Sequence, residues 1–390
     1  MTVGQLDGTP KPAGGFRAAI SSWFGWNKKR MAWGVDLGSS ALKAIKLSVD
    51  SGGMLQIEDV AIFPYPIEEA DQANSKVKPE DRKKAIVRAA LATFVEKHQV
   101  KGCRVGTTVD AISSFSRFVR LSGIEPKKLS EVLAKKAAEL IPVPLEKVEW
   151  THQVFPISDS PDIQVGIFAA RKSMVALNVR HFARVDVGVQ VVQIGALAVY
   201  NALHHDHRLR DTTMIVDIGS EKMDLIIAEG DNLWFRSSPI GGKKLNDAIA
   251  KRFELSAVEA EAVKQKAHAS EHARDVFLTL DPVFGEFVTE IKRSLGQFLA
   301  IDPQRRVMIK RVILLGETFC LPSLMQYIHN NLKTTVESVG SFSAAAPQDS
   351  DVAGLYAGHG LGLVTAYGLA LQALDLTRIT ACLTPSRLEV

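Results

Sequence analysis

The chain has 390 residues, 46% hydrophobic and 23% charged, which is ordinary globular composition and enough chain for two or three domains of roughly 100–200 residues. A net charge of +4 with pI ≈ 8.8 is too mild a basic balance to mark a nucleic-acid-binding protein, which carries a steeper and clustered excess. Three cysteines far apart (Cys103, Cys320 and Cys382) fit a reducing compartment better than a disulfide framework or zinc site. No run reaches the roughly 18 apolar residues of a membrane-spanning helix, so with no signal peptide legible the expectation is a cytoplasmic protein.

In chain order, residues 1–15 are rich in glycine and proline and read as a flexible leader. Phe16, Ala19, Ile20, Trp23 and Phe24 then recur at helical spacing ahead of the basic Asn27-Lys28-Lys29-Arg30. That pattern suits an amphipathic helix lying on an anionic membrane surface or a partner, and equally a tail packing its aromatics on its own domain. Strands are expected at Trp33–Leu37, Ala41–Val49 and through Ile57 and Val60 to Phe63, then a polar loop over 66–79. A helix follows from Asp81 to about His98, with Ile86, Ala90 and Phe94 on one face.

Near Phe115 the texture changes. A strand over 115–121 leads to a helix whose Leu129, Val132, Leu133, Ala137, Leu140 and Ile141 share a face, and Pro142 and Pro144 stop it. Strands around Val148–Phe155 and Val165–Ala170 and a helix around Ser173–Ala183 complete a small α+β unit. His204-His205-x-His207 has the composition of a metal site, but a solvated loop is the simpler reading. Residues 213–228 repeat the opening strand–turn–strand pattern, and a helix follows from about Lys244 to Phe253. Ser256 and Glu259 form a capping box, and Val283, Phe284, Phe287, Val288, Ile291, Leu295 and Phe298 mark a long amphipathic helix. A buried strand at 312–315, a helix at 321–332, an alanine-rich loop at 336–352 and a last helix at about 363–374 close the chain.

Two segments match one another: Gly34-Val35-Asp36-Leu37-Gly38-Ser39-Ser40-Ala41-Leu42-Lys43 and Ile215-Val216-Asp217-Ile218-Gly219-Ser220-Glu221-Lys222-Met223-Asp224. Each puts an aspartate at the end of an apolar strand, a glycine two residues on, then small polar residues and another strand. Glycine lets backbone N–H groups approach phosphate oxygens, serine hydroxyls add donors, and a strand-end aspartate holds Mg²⁺ through its water shell. Two such hairpins facing each other clamp a polyphosphate from both sides. A single Asp-x-Gly turn is common; a matched pair is much less so.

These hairpins resemble the two phosphate loops of the actin, Hsp70 and sugar-kinase superfamily. Gln193-Ile194-Gly195-Ala196-Leu197-Ala198 resembles its inter-lobe helix, Val312-Ile313-Leu314-Leu315-Gly316 its adenosine strand and turn, and Ala366-Tyr367-Gly368-Leu369-Ala370-Leu371 its last connecting helix. Within the superfamily, Phe118-Val119-Arg120, the Ile141-Pro142-Val143-Pro144-Leu145-Glu146 run, Ala169-Ala170-Arg171-Lys172, Trp234-Phe235-Arg236, Ile240-Gly241-Gly242 and the stretch from Glu290 to Leu295 resemble the PilM family. The resemblance spans about residues 31–376, and the Ile-Pro-x-Pro-Leu-Glu run is its most specific mark.

It implies an α/β, actin-like (ribonuclease H-like) two-lobed ATPase fold with an inserted small α+β subdomain. The leader would end at 30, the first lobe cover 31–114 with 184–211, the insert 115–183, the second lobe 212–376 and the tail 377–390. It also implies ATP and Mg²⁺ as ligands. Asp36, Gly38, Ser39, Ser40 and Lys43 would make the first phosphate loop, Asp217, Gly219 and Ser220 the second, with Asp36 and Asp217 on hydrated Mg²⁺. Gly316 would approach the adenosine, and Glu261 and Lys264 flank the base unless they are an ordinary solvated i, i+3 pair.

PilM proteins are cytoplasmic components at the inner face of the inner membrane, in pilus or secretion platforms, and grip the N-terminal cytoplasmic peptide of PilN. The same resemblance leaves open a homo-oligomer or membrane-associated filament of the FtsA type, or a small-molecule kinase. Two departures stand out. Glu317 follows Gly316 where the superfamily usually has a second glycine, and Gln193 stands where an acidic residue is common. A glutamine positions a water without taking its proton, so slow or absent hydrolysis is expected. The tail Thr377-Arg378-Ile379-Thr380-Ala381-Cys382-Leu383-Thr384-Pro385 resembles the Ile-Asn-Leu-Leu-Pro type of PilN peptide. That likeness suggests a tail seated in the partner groove of its own chain or a neighbour, against the plainer reading of a chance apolar tail.

Overall fold

A long apolar stretch broken only by short turns folds into β1 (Arg30–Leu37), β2 (Ala41–Val49) and β3 (Leu55–Pro64), successive antiparallel strands buried on both faces. The computed structural model describes residues 29–67, 77–124, 126–157, 160–267, 273–301 and 308–384; the leader with its aromatic stretch at 16–26 and the last residues from 385 lie outside them. β4 (Arg104–Val109) and β8 (Val191–Ile194) add parallel on the β1 side, and the short β14 (Ala346–Pro347) adds on the β3 side. The first sheet is thus ordered β14-β3-β2-β1-β4-β8.

The second sheet repeats this wiring. β9 (Thr213–Ile218) and β10 (Met223–Glu229) form the hairpin, β11 (Asn232–Ser238) continues it antiparallel, and β12 (Arg311–Leu315) and β13 (Thr335–Ser338) add in parallel on the other side. The two hairpins quoted from the sequence therefore hold equivalent places in two lobes of one plan.

Helices cover both sheets. α1 (Pro79–Lys97) and α3 (Lys172–Ala183) pack Leu91, Phe94 and Phe182 against Trp33 and Val105 on one face of the first sheet. On the opposite face lie α4 (Gly195–His205) and the C-terminal α9 (Ser350–Ala373), the latter crossing β1 so closely that a Cβ on Gly34 would sit 1.8 Å from the Ala366 carbonyl oxygen. α5 (Lys243–Phe253), α6 (Ala257–Gln265), α7 (Ala273–Ile301) and α8 (Pro322–Leu332) cover the outer face of the second sheet, where Phe284 and Phe287 join Leu245, Ile249 and Leu324. At roughly 1.5–3 kcal/mol per fully buried large side chain, these two cores dominate stability.

The insert is a three-stranded antiparallel sheet of β5 (Ser114–Leu121), β7 (Ile163–Arg171) and β6 (Val148–Pro156), in that order, with α2 (Leu129–Leu140) on its outer face. Its inner face sends Phe118, Phe155 and Phe168 into the first lobe's core.

Several expectations change. The chain returns to the first lobe after β13: β14 pairs with β3 and α9 packs on β1, β2 and α4, so the second lobe does not extend to 376. α9 begins at Ser350 instead of near 363, because the Asp349 carboxylate accepts from the N–H groups of Asp351 and Val352 and caps it there. β13 and β14 lie within the stretch expected to be a loop. β4 had no counterpart in the sequence reading. Gln193 is the third residue of strand β8, two residues before the first residue of the helix that was expected to contain it. His204 and His205 end α4 half-buried, whereas a solvated loop was expected.

Candidate functional site

Both hairpin turns close with the same hydrogen bond. Gly38 N–H donates to the Ala41 carbonyl at 3.0 Å, and Gly219 N–H to the Lys222 carbonyl at 2.9 Å. The aspartate just before each turn has its cross-strand neighbour fixed by register: Lys43 faces Asp36, and Asp224 faces Asp217. Ser39, Ser40 and Ser220 occupy the turn tips. The second turn rests on further backbone, since the Gly219 carbonyl accepts from Gly242 N–H at 2.9 Å and the Ser220 carbonyl from Lys243 N–H at 2.8 Å.

The two turns are joined by charge. Lys43 Nζ reaches from the first lobe to Glu317 Oε2, 3.1 Å away beyond β12, and Glu317 Oε1 lies 3.1 Å from His359 Nδ1 on α9. Conversely, Lys222 Nζ of the second turn reaches Asp110, just past β4, at 2.6 Å and lies 3.4 Å from Asp224. At the rim Lys83 of α1 pairs with Glu221 at 2.8 Å. Each turn thus sends a lysine to a carboxylate of the opposite lobe.

Gly316 ends β12 directly beside the second aspartate. Its φ is +96°, and an added Cβ would lie 2.3 Å from the Ile218 carbonyl oxygen and 2.8 Å from Asp217 Oδ1. Only glycine fits, because a side chain would strain the backbone and strike the strand at once. Glu261 and Lys264 are ion-paired at 2.7 Å on α6, and Asn246 also donates to Glu261 at 2.6 Å.

Gln193 is the exception. Its side chain is buried, with Nε2 donating to Gln372 Oε1 at 2.9 Å and to the Ala381 carbonyl at 2.8 Å, while its Oε1 accepts from Ile194 N–H at 2.9 Å. These bonds hold the C-terminal segment and commit the amide away from a water.

The electrostatics of the turns follow from enclosure. Burial is the main cause that pushes the Asp36 carboxyl above its usual range, against the pull of Lys43, Lys222 and the Thr108 hydroxyl, which donates to Asp36 Oδ1 at 3.1 Å. Asp217 rises to about 7, through burial and the nearby Asp224 carboxylate. Burial works against charge on Lys222, yet Asp224 and Asp110 hold its ammonium well above the ordinary lysine value. Burial likewise opposes charge on Glu317, and Lys43 and His359 overcome it. Asp224 Oδ1 is buried and makes no hydrogen bond among the described residues.

Thr108, Asp110, Lys222, Asp224 and His359 complete the site and were not singled out from sequence. Lys222 and Asp224 stood inside the quoted repeat; Thr108 belongs to the unread β4 and Asp110 follows it directly. Among the described residues no three His, Cys, Asp or Glu side chains converge as a direct metal-ligand set.

A family model described as type IV pilus assembly protein PilM matches residues 34–374. Among solved structures, a chain of a PilM-PilN type IV pilus biogenesis complex superposes with TM-score 0.69 at 22% identity, covering 88% of this chain and 98% of that one. The ethanolamine utilization protein EutJ from Carboxydothermus hydrogenoformans gives TM-score 0.47 at 16% identity, covering 88% and 89%. A non-polymerising MamK mutant bound to AMPPNP gives 0.44 at 14%, covering 89% and 99%. The fold is actin-like and two-lobed.

Proposed function

The chain belongs to the type IV pilus assembly protein PilM family, and on that premise we propose that it is an ATP-binding scaffold at the cytoplasmic face of an inner-membrane pilus or secretion platform, holding a PilN-like protein by its N-terminal peptide. The nucleotide reading is carried by one observation: two equivalent Asp-x-Gly-Ser turns, one from each lobe, joined across the cleft by reciprocal lysine–carboxylate pairs.

The residues fit a hydrated magnesium ion. Asp217 and Asp224 are neighbours across the hairpin, Asp217 is held near neutrality in the proton balance, and Asp224 Oδ1 lacks a partner. A cation relieves that crowding, and indirect contact through water suits a set without three converging direct ligands. When bound, magnesium supplies charge neutralisation for the polyphosphate. The protein's own part is done by backbone N–H groups of the turns, the serine hydroxyls, and Lys43 and Lys222, which exchange Glu317 and Asp110 for phosphate oxygens. That exchange breaks both central inter-lobe ion pairs and so couples nucleotide occupancy to lobe angle, through which the partner is gripped or released. Hydrolysis is slow or absent, in keeping with the commitment of Gln193 to structural bonds.

Calorimetric titration with Mg-ATP tests the cleft. The wild type should bind in roughly the micromolar range, and the Asp36→Ala/Asp217→Ala variant should show no heat. A folded wild type that binds nothing overturns the nucleotide reading and leaves a scaffold alone.

A further inference from the structure

After α9 the chain turns at Asp375, whose φ is +63°, and runs without helix or strand over residues 377–384 into a groove shared by the insert and both lobes. It is read mainly through its backbone. Gln153 of β6 donates to the Arg378 carbonyl at 2.8 Å and accepts from the N–H groups of Thr380 and Ala381 at 2.8 and 3.1 Å. Asn201 of α4 grips Ile379 from both sides, accepting from its N–H and donating to its carbonyl, each at 2.9 Å. Gln193 and Gln372 donate to the Ala381 carbonyl at 2.8 and 3.3 Å. Leu383 N–H bonds the Val192 carbonyl of edge strand β8 at 2.7 Å, and Val192 N–H donates to Thr384 Oγ1 at 3.1 Å, so the segment lies against that edge of the first sheet.

Two side chains are swallowed, Ile379 and Leu383, at 0% and 2% exposure. Arg378 lies over the Phe155 ring and makes a two-pronged pair, both bonds 2.6 Å, with Asp231, which belongs to the β10–β11 turn of the second lobe.

We propose that residues 377–384 are an exchangeable internal ligand: they hold the groove against an external extended peptide of the same pattern, a basic residue followed by an aliphatic one and a second aliphatic four residues on. This rests on the reading above that the chain grips a partner's peptide. Asn201, Gln193 and Gln372 are buried amides whose partners include the tail's main chain, and a buried polar group left unpaired is destabilising. A vacated groove is therefore unfavourable, and another peptide backbone is the occupant that restores those bonds. Reading by main chain tolerates a change of sequence, while the two aliphatic pockets set the pattern. A tail tethered this closely competes at an effective concentration on the order of millimolar, which keeps weak peptides out. The Arg378–Asp231 pair ties the tail to the second lobe, so lobe movement driven by the cleft changes its hold.

The test uses a fluorescent peptide of sequence 375–390 added to the intact chain. Arg378→Ala in the chain alters the tail and leaves the groove whole, so this variant should bind the labelled peptide about tenfold more tightly than wild type. A peptide carrying Ile379→Asp should bind neither. Equal binding of the labelled peptide by wild type and variant overturns the proposal. A PilN-type N-terminal peptide separates the two readings. If it displaces the labelled peptide from the variant, both stand; if the labelled peptide binds but the PilN-type peptide does not compete, tail exchange stands and the partner reading falls. If the PilN-type peptide binds wild type and variant alike, the partner reading stands and tail exchange falls.

Discussion

The first and second hairpin turns share strand order, turn hydrogen bond and aspartate position, yet the residue facing the aspartate is Lys43 in one and Asp224 in the other. The first turn therefore balances part of its charge within its own hairpin. The second gathers two carboxylates and depends on Lys222, itself shared with Asp110 of the other lobe. Equivalent backbones carry unequal electrostatic loads: a second carboxylate meets the aspartate across the second turn, whereas a lysine meets it across the first. The largest expected effect tests what the second turn rests on. Gly316→Ala combines left-handed strain with a collision against the Ile218 carbonyl, and should cost about 3 kcal/mol in urea unfolding and abolish nucleotide binding. A loss under 1 kcal/mol would show that β12 and β9 can part without harm.

Next comes the acid pair itself. Because the folded-state value for Asp217 is about 7 and its ordinary value is near 3.8, the folded protein binds a proton more readily than the unfolded chain between those limits. Stability at this site is thus present at low pH and is lost as pH rises from about 4 to about 7. Asp217→Asn should stabilise the ligand-free protein by about 2 kcal/mol at pH 8 and leave it unchanged near pH 4. Asp36→Asn should gain less, since Lys43 lies opposite. Thermal melts of both variants across that range check the ranking, and equal gains would erase the contrast between the turns.

The hairpins were legible because each is an apolar run ended by Asp-x-Gly, a local pattern that local physics explains. The residues that join them were not. β4 is short and reads Arg-Val-Gly-Thr-Thr-Val, without a clear alternation, so Thr108 and Asp110 went unread. Between residues 354 and 362, α9 carries Gly354, Gly358, Gly360 and Gly362, each unfavourable in an isolated helix. Tertiary packing overrides propensity there: a Cβ on Gly360 would meet the Gly340 carbonyl at 1.8 Å, and one on Gly362 would meet Lys43 Nζ at 2.6 Å and Glu317 Oε1 at 2.9 Å. The bonds of Gln193 and Asn201 to the tail join residues 188 and 178 positions apart, and no short window contains them.

A smaller effect separates the two inter-lobe lysines. Glu317→Gln frees Lys43 from its ion pair while keeping the shape of the side chain, so Mg-ATP affinity should rise about tenfold by calorimetry. Asp110→Asn should raise it less, because Asp224 still holds Lys222. An affinity lowered by Glu317→Gln would mean that Glu317 itself supports the nucleotide.

The smallest effect lies at the rim. Lys83 and Glu221 join the same lobes but are each about half exposed, at 49% and 50%, where water and salt screen the pair. Lys83→Ala should shift stability by less than about 0.5 kcal/mol and leave Mg-ATP affinity within about twofold, unlike changes at Lys43 or Lys222. Urea unfolding and titration at low and high salt measure both. A large, salt-sensitive loss of affinity would place control of the lobe angle at the mouth of the cleft and remove it from the two turns.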